Sequence, residues 1–322
     1  MKKTLSILLV MCLCTMFLPA LGQTNYPSEP VKIIVVRKAG GSADVVARMF
    51  APFLQKHLGT NVVVENITGG SGKSGLSQAF RANPDGYTLA LGNFPSYVLT
   101  QAIEGDVDYV MSEFEAVVGI SGNEGNVLMV PGNSPFNTME ELLAYGKENP
   151  SKLNLAVTSG LSNSSLAQAM FISQTGLSAQ TIPYDDGASC VTACMGNHVD
   201  AAISSAVAAY QPAADGVIKV LATFGANNDA KLPNVPTFAS LYGEAYAYDV
   251  TMGLLATPGT PEEVLTKLRS AAYAAANDPE FAAAVGAAFN VVPLTAEEFG
   301  LSILANYDLA ESARELLSSM SK

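Results

Sequence analysis

Glycine and short hydroxyl side chains are concentrated in loops that each precede a predicted helix. Residues 39–42 and 68–72 form two such loops in the first half of the chain, and residues 158–165 form one in the second half. Glycine lets the backbone approach a ligand closely, while the free N–H groups and the dipole of a helix start favour negative charge. Serine and threonine hydroxyls add further donors. The loops therefore predict a site that binds an anion mainly through backbone amides.

Alternating strands and helices must position these loops. Apolar runs over 31–36 and 153–157 are typical of buried strands, and helical periodicity follows them over 43–58 and 166–175. Such alternation predicts an α/β fold in which mostly parallel sheets are flanked by helices. Open α/β sheets bind ligands at the carboxyl ends of their strands. The glycine- and serine-bearing loops lie at those ends.

Three helix starts carry the pattern of a capping box, in which a threonine is followed three residues later by a glutamate. These starts are at residues 138–141, 260–263 and 295–298, and the second has a proline at its predicted first helical position. Each pattern predicts a helix that begins next to its threonine.

The chain divides into a signal segment and two similar α/β halves. Lys2 and Lys3 precede an apolar run over 5–18, and small residues before position 23 suit cleavage near Gly22. We expect residues 1–22 to be a signal peptide and the protein to be periplasmic. We expect residues 23–122 plus 247–322 to form the first lobe and residues 123–246 the second.

Composition excludes several classes of function. The net charge of −12 disfavours nucleic acid as a partner. Two histidines and four cysteines are poor material for a metal site, a disulfide scaffold or histidine-based catalysis. We therefore expect no cofactor and no metal. Cys190 and Cys194 are spaced four residues apart on a predicted helix. We interpret them as buried free thiols, with a strained disulfide or a reactive site as the alternatives.

The sequence partly matches two enzyme motifs but lacks a required glycine in each. The segment 69–74 ends in Gly-Lys-Ser, but a phosphate-binding loop needs a glycine where Ile67 stands. The segment 160–164 lacks the last glycine of the G-x-S-x-G pattern around Ser162. His57 and His198 are both expected on the surface. A secreted serine hydrolase is thus only a distant alternative, and the sequence favours a non-enzymatic protein.

The ordered set of loop motifs resembles the solute receptors of tripartite tricarboxylate transporters, the Bug family. The segments that carry the resemblance span the whole chain after residue 25, at 26–31, 39–48, 63–66, 84–89, 182–184, 232–237 and 256–261. The resemblance implies a two-lobed periplasmic-binding-protein (Venus flytrap) fold that closes on an organic acid. It also implies a monomeric receptor that delivers this acid to membrane permease subunits. A sensory protein of the same fold, which would signal to a membrane receptor, is the alternative.

In the family, the first Gly-rich loop, the Ser/Gly loop of the second lobe and the loop after a Pro-Tyr strand hold the ligand. Together with polar residues at neighbouring strand ends, they give the predicted ligand-binding set: Arg37, Ala39, Gly40, Gly41, Ser42, Asn93, Ser96, Thr158, Ser159, Gly160, Ser162, Asn163, Ser164, Tyr184, Asp186, Gly187, Ala188 and Ser204.

The first loop departs from the family pattern in its charge. Arg37 and Lys38 stand where the family usually has proline and an apolar residue. Arg37 and Lys38 either point to solvent or pair with the acidic surface. Alternatively, Arg37 binds a second carboxylate of the ligand, which would favour a di- or tricarboxylate. Asp185 and Asp186 would repel such an anion unless they face away, whereas inward-facing acids could bind an amino or hydroxyl group.

Overall fold

A computed structural model of the chain describes residues 25–158, 160–243, 248–286 and 288–320. The predicted signal peptide, residues 1–22, lies outside these ranges. The strands are β1 (Val31–Val35), β2 (Val62–Asn66), β3 (Thr88–Phe94), β4 (Glu115–Glu124), β5 (Asn126–Pro131), β6 (Leu153–Thr158), β7 (Ala179–Tyr184), β8 (Ala201–Ser205), β9 (Ile218–Thr223), β10 (Val250–Ala256) and β11 (Val291–Leu294).

Helices separate most of the strands, as the sequence predicts for an α/β protein. They are α1 (Ser42–Leu58), α2 (Lys73–Phe80), α3 (Ser96–Glu104), α4 (Met139–Glu148), α5 (Asn163–Thr175), α6 (Gly187–Met195), α7 (Ala206–Ala214), α8 (Phe238–Tyr242), α9 (Glu262–Ala276), α10 (Pro279–Val285) and α11 (Ala296–Met320). None of the helices described is long and apolar enough to cross a membrane.

The strands form two sheets, each covered by helices. The first sheet has the order β11-β4-β10-β3-β1-β2, and the second has the order β7-β6-β8-β5-β9. We call the first sheet with its helices the first lobe, and the second sheet with its helices the second lobe. The α/β fold class is therefore confirmed. Whether the lobes move as separate bodies with the predicted boundaries stays a prediction.

Two segments carry the chain between the lobes. One is the short step from β4 to β5 through Gly125, and the other is the return from β9 to β10. They touch through their backbones, since a Cβ atom on Gly125 would lie only 2.3 Å from the backbone nitrogen of Gly225. The amide of Phe224 also donates to the carbonyl oxygen of Asn126 at 2.8 Å. Glycine at position 125 is what permits this close approach.

The sheets are mixed, which corrects the expectation of mostly parallel sheets. In the first sheet β1 pairs in parallel with β2 and β3, but β10 is antiparallel to both of its neighbours. In the second, β6 pairs in parallel with β7 and β8, whereas β5 is antiparallel to β8 and β9. The physical reason is the crossing between lobes. A strand that starts at the cleft must run opposite to the strands that end there.

The capping predictions hold at two of the three helix starts. The Thr138 side chain accepts a hydrogen bond from the Glu141 amide, and Thr295 and Glu298 bond each other reciprocally. The prediction for 260–263 is wrong, because α9 begins at Glu262 without a side-chain cap. Thr260 instead donates its hydroxyl to the carbonyl oxygen of Thr257 at 2.7 Å. A hydroxyl next to a turn can satisfy a turn carbonyl as readily as a helix start.

Candidate ligand-binding site

A cavity of about 90 Å³ lies between the lobes, at the ends of strands from both sheets. Its wall from the first lobe comes from the loop after β1 and from the end of β3. Its wall from the second lobe comes from the loops after β6, β7 and β8. The lining residues are Arg37, Lys38, Gly41, Ser42, Ala43, Asn93, Ser96, Gly125, Asn126, Thr158, Ser162, Asn163, Ser164, Asp185, Asp186, Gly187, Ser205, Ala206, Val250 and Met252.

Five helices begin at the cavity. Each of the helices α1, α3, α5, α6 and α7 contributes at least one residue at or next to its first turn to the lining. The first amide groups of a helix have no intrahelical partner, and its dipole places partial positive charge at that end. The positive ends of these helices therefore converge on one small volume, which suits an anion.

The helix starts differ in how their amides are satisfied. At α5 and α6, Ser162 and Asp186 accept hydrogen bonds from backbone amides one turn on, at 3.1 and 2.7 Å. At α1, α3 and α7 no side chain caps the helix. The α1 cap position is Gly41, which has no side chain to offer. Ser42 and Ala43 of α1 line the cavity, and no side chain caps the amides at this helix start.

Arg37 is the cation of the cavity that has no acidic partner. Its Nη2 donates to Ser96 Oγ at 2.9 Å, and its guanidinium lies over the Tyr97 ring at 5.8 Å from the centroid. None of the ion pairs among the described residues involves Arg37. The guanidinium is thus held in the wall of the cleft by neutral groups and keeps donors for a further acceptor.

The other charges of the cavity are already paired. Lys38 Nζ lies 2.6 Å from Asp185 Oδ2, and this ion pair joins the first lobe to the second. The hydrogen bond with Lys38 holds the pKa of Asp185 below its usual value. Asp186 is used as the cap of α6, where the helix dipole offsets its charge. The charges of the two acids are therefore compensated and do not oppose a bound anion. The uncompensated charge that remains is that of Arg37.

Asp44 fixes the shape of the loop that follows β1. It is only 3% exposed, and it accepts hydrogen bonds from the Gly40 amide, from Arg48 Nε and from Asn66 Nδ2 at 2.9 Å each. Burial alone would raise the pKa of this carboxyl, but the hydrogen bond from Arg48, followed by those from Gly40 and Asn66, lowers it overall. Asn66 also donates to the carbonyl oxygen of Arg37 at 3.0 Å. The network holds the loop open toward the cleft.

Two further contacts join the lobes next to the cavity. Asn163 Nδ2, at the start of α5, donates to Asn93 Oδ1 in β3 at 2.8 Å. Gly160 has a positive φ of 71°, and a Cβ atom there would lie 2.6 Å from Ser71 Oγ of the glycine-rich loop 69–72. That loop does not line the cavity itself, but it meets the second lobe across the cleft.

Most of the predicted site residues line the cavity. They are Arg37, Gly41, Ser42, Asn93, Ser96, Thr158, Ser162, Asn163, Ser164, Asp186 and Gly187.

The remaining predictions fall outside that lining. Ala39, Gly40, Tyr184 and Ala188 lie along a shallow groove next to the cavity. Gly160 forms the contact with Ser71 described above.

Ser204 is fully buried and donates its hydroxyl to the carbonyl oxygen of Gly187 at 2.9 Å, so it braces the loop from behind. Successive residues of a strand face opposite sides, so Ser205, the neighbour of Ser204, lines the cavity instead. Only the register of β8 shows that Ser205, and not Ser204, faces the cavity. Of the other predicted residues, Ser159 lies outside the described residues.

The sequence-based set also missed the two crossing segments. Gly125, Asn126, Val250 and Met252 line the cavity because β5 and β10 both begin there. The one signal in the sequence was Asn126, a polar residue directly before an apolar run. Lys38 and Asp185 also belong to the lining, although the predicted set does not include them.

The geometry does not support hydrolysis at Ser162. Its hydroxyl is engaged with Ser165 and with the carbonyl oxygen of Thr158, both within α5 and its preceding loop. His57 bonds Asp278 at the far end of α1, at 2.9 Å. No histidine lines the cavity, and no cluster among the described residues could hold a metal ion.

The fold and the cleft define the class of protein. Two lobes with a cavity between them, joined by two crossing segments, are the architecture of a periplasmic solute-binding protein. Residues 46–313 match the family described as "Tripartite tricarboxylate transporter family receptor", named TctC. The chain belongs to this family. It is therefore a periplasmic solute-binding receptor and not an enzyme.

Individual relatives agree with the family assignment. A protein of Cupriavidus necator, "UPF0065 protein in gbd 5'region", is 31% identical over 82% of this chain and 80% of its own length. BugT of Bordetella pertussis is 28% identical over 76% of this chain and 75% of its own length. The solved structure of the periplasmic binding protein BugD superposes with a TM-score of 0.81 at 27% identity, covering 90% of this chain and 98% of that one.

Proposed function

We propose that this receptor binds a small dicarboxylate or tricarboxylate in the cavity between its lobes and delivers it to a membrane permease. The observation that carries the proposal is the unpaired guanidinium of Arg37 in a cavity surrounded by helix starts. One carboxylate would accept from the uncapped amides at the start of α1, and a second would accept from Arg37. Each such charge-assisted hydrogen bond contributes about 1.5–3 kcal/mol.

Two proteins of similar fold support a ligand with two carboxylates. A protein of R. palustris was solved with adipate, at 23% identity and a TM-score of 0.83. MatC from Rhodopseudomonas palustris was solved with bound malate, at 21% identity and a TM-score of 0.79. Both ligands carry two carboxylates separated by a short carbon chain. A cavity of about 90 Å³ suits acids at the small end of this range.

Calorimetric titration with mono-, di- and tricarboxylates tests the ligand class. We expect dicarboxylates or tricarboxylates to bind more tightly than monocarboxylates of equal chain length. Arg37→Ala should weaken their binding by about 2–5 kcal/mol, roughly 30-fold or more, because a ligand carboxylate loses its charged partner. Binding of monocarboxylates should change little.

Lys38→Ala is the matched control. It removes a cation from the same rim of the cleft, but one that is already paired with Asp185 and exposed to solvent. Lys38→Ala alone leaves Asp185 unpaired in the lining, so the control also includes Lys38→Ala/Asp185→Asn. Exposed ion pairs contribute little, so we expect this double variant to lose little affinity, in a salt-dependent way. An unchanged dissociation constant in Arg37→Ala would reject the role of the guanidinium.

Uptake of the bound acid by cells distinguishes a transport receptor from a sensory protein. A transport receptor predicts that cells without this gene lose uptake of the bound acid, and that the wild-type gene, but not Arg37→Ala, restores it. A sensory protein predicts unchanged uptake with an altered transcriptional response. We propose that the receptor acts as a monomer, since each copy contains a complete cleft.

A further inference from the structure

We propose that Asn163 recognises a hydroxyl group on the carbon chain of the ligand, so that the site prefers a hydroxydicarboxylate over the corresponding deoxy acid. This inference rests on the proposed dicarboxylate function and adds a specificity-determining residue to it. It starts from a hydrogen-bond acceptor that the protein itself leaves unused.

Asn163 lines the cavity and is only 8% exposed. Its Nδ2 donates across the cleft to Asn93 Oδ1 at 2.8 Å. Its Oδ1 is buried and has no hydrogen-bond partner among the described residues. A buried amide oxygen without a donor carries the full cost of its desolvation. Such groups in native proteins call for an explanation, and in a binding cleft a ligand can supply it.

The backbone at Asn163 is anchored in a buried hydrogen-bond network. The Tyr248 hydroxyl lies 2.7 Å from the Asn163 carbonyl oxygen and 2.8 Å from Asn126 Oδ1. Asn126 Nδ2 in turn donates to Ser164 Oγ at 2.8 Å. The start of α5 is therefore held from behind by a buried network, and the side chain is held from the front by Asn93. The free acceptor is fixed in position, as a specific binding site requires.

The missing partner must be a hydrogen-bond donor. An ionised carboxylate only accepts hydrogen bonds, so the acid groups of the ligand cannot satisfy Asn163 Oδ1. A hydroxyl or an ammonium group on the ligand's carbon chain can. A ligand without either would close the cleft over an unsatisfied acceptor or retain a water molecule there.

The electrostatics of the cavity favour the hydroxyl over the ammonium. The starts of five helices and the Arg37 guanidinium surround the cavity with positive potential. Asp185 is neutralised by Lys38, and Asp186 is used as the cap of α6. No unpaired carboxylate of the described lining remains to balance an ammonium group. We therefore expect the order of affinity to be hydroxy acid, then deoxy acid, then amino acid.

Calorimetry with malate, succinate and aspartate tests this order, because these acids differ only at one carbon. For the wild-type protein we expect malate to bind about tenfold or more tightly than succinate. Asn163→Ala should bring the ratio of the two dissociation constants close to one. Asn163→Ser, which suits a helix start and has a shorter side chain, should also reduce the ratio.

Asn93→Ala is the matched control, since it deletes the other side of the same cross-cleft hydrogen bond. It should weaken malate and succinate together and lower their ratio less than Asn163→Ala does, because the Asn163 acceptor remains and only its contact with Asn93 is lost. If Asn163 served only to close the cleft, Asn163→Ala would weaken malate and succinate by similar factors.

Three outcomes would count against the proposal. Equal affinity of the wild type for malate and succinate overturns it while leaving the dicarboxylate function intact. A preference for malate that survives in Asn163→Ala also overturns it. If neither acid nor any other dicarboxylate binds, the proposed function fails and this inference fails with it.

Discussion

At the scale of single residues, charge is used for structure as well as for binding. Asp278 is buried at the cap of α10, where its carboxylate accepts from the Glu280 amide and lies 2.9 Å from both His57 and Lys56. The hydrogen bond with His57, followed by that with Lys56, holds the pKa of this carboxyl far below its usual range. These contacts join the end of α1 to the start of α10, away from the cleft.

The depressed pKa predicts acid sensitivity at this position. Between the depressed folded pKa of Asp278 and its ordinary value near ~4, the unfolded state binds more protons than the folded state. The stabilisation by Asp278 is therefore complete above the ordinary value and is lost as the pH falls toward the folded pKa. We expect Asp278→Asn to lower the Tm at pH 7, and its deficit relative to wild type to shrink as the pH falls below 4. A deficit that stayed constant from pH 7 to pH 3 would contradict this assignment.

At the scale of elements, α6 shows how one helix serves both the core and the cleft. Its first turn faces the cavity through Gly187, while Cys190 and Cys194 are fully buried against the second sheet. The two cysteines are free thiols, as the sequence predicts. Burial raises the pKa of the Cys190 thiol to about 11 and that of Cys194 to about 12.

These pKa values predict unreactive thiols in the folded protein. The thiolate is the reactive form, and both groups stay protonated and covered at pH 8. We expect a disulfide exchange reagent to titrate no thiol in the native protein and two per chain after unfolding in denaturant. Four thiols would show that the predicted signal segment, which carries Cys12 and Cys14, had been retained. Rapid reaction of the native protein would show that α6 is not packed as described.

At the scale of the whole molecule, the contacts across the cleft determine how tightly the lobes can close. Gly160 is the most constrained of them, since its φ is positive and a side chain there would meet Ser71 Oγ at 2.6 Å. The positive φ already favours glycine within the second lobe, and the contact with Ser71 across the cleft adds a second reason. The contact exists only when the two lobes face each other.

We therefore expect Gly160→Ala to weaken ligand binding more than it destabilises the unliganded protein. The left-handed conformation costs about 1 kcal/mol of stability with alanine, whereas the added methyl group also hinders closure. Removing the hydroxyl in Gly160→Ala/Ser71→Ala should restore much of the affinity without restoring the Tm, because the contact is with Ser71 Oγ and both residues keep their positive φ. Calorimetry and thermal unfolding measure the two effects separately. If affinity and Tm fall in parallel and Ser71→Ala changes neither loss, the effect of Gly160→Ala is confined to the second lobe.

Local chemistry was sufficient to predict much of this protein. Apolar periodicity predicts β1, α1 and β6 to within one residue at each end. Glycine and serine mark the loops after β1 and β6 that line the cavity, but the similar loop 68–72 does not line it. The reason is that strand periodicity, helix starts and turn chemistry depend on neighbouring residues. These determine the α/β class and most of the residues that face the cleft.

The tertiary structure decided what the charges do and which neighbours face inward. The sequence left Arg37, Lys38, Asp185 and Asp186 open, because each could turn to solvent or to the cleft. Only the packing of the lobes pairs Lys38 with Asp185, leaves Arg37 without an acid and brings Asn163 to Asn93. Pairing across a cleft joins residues far apart in the chain, and no local pattern carries their distance.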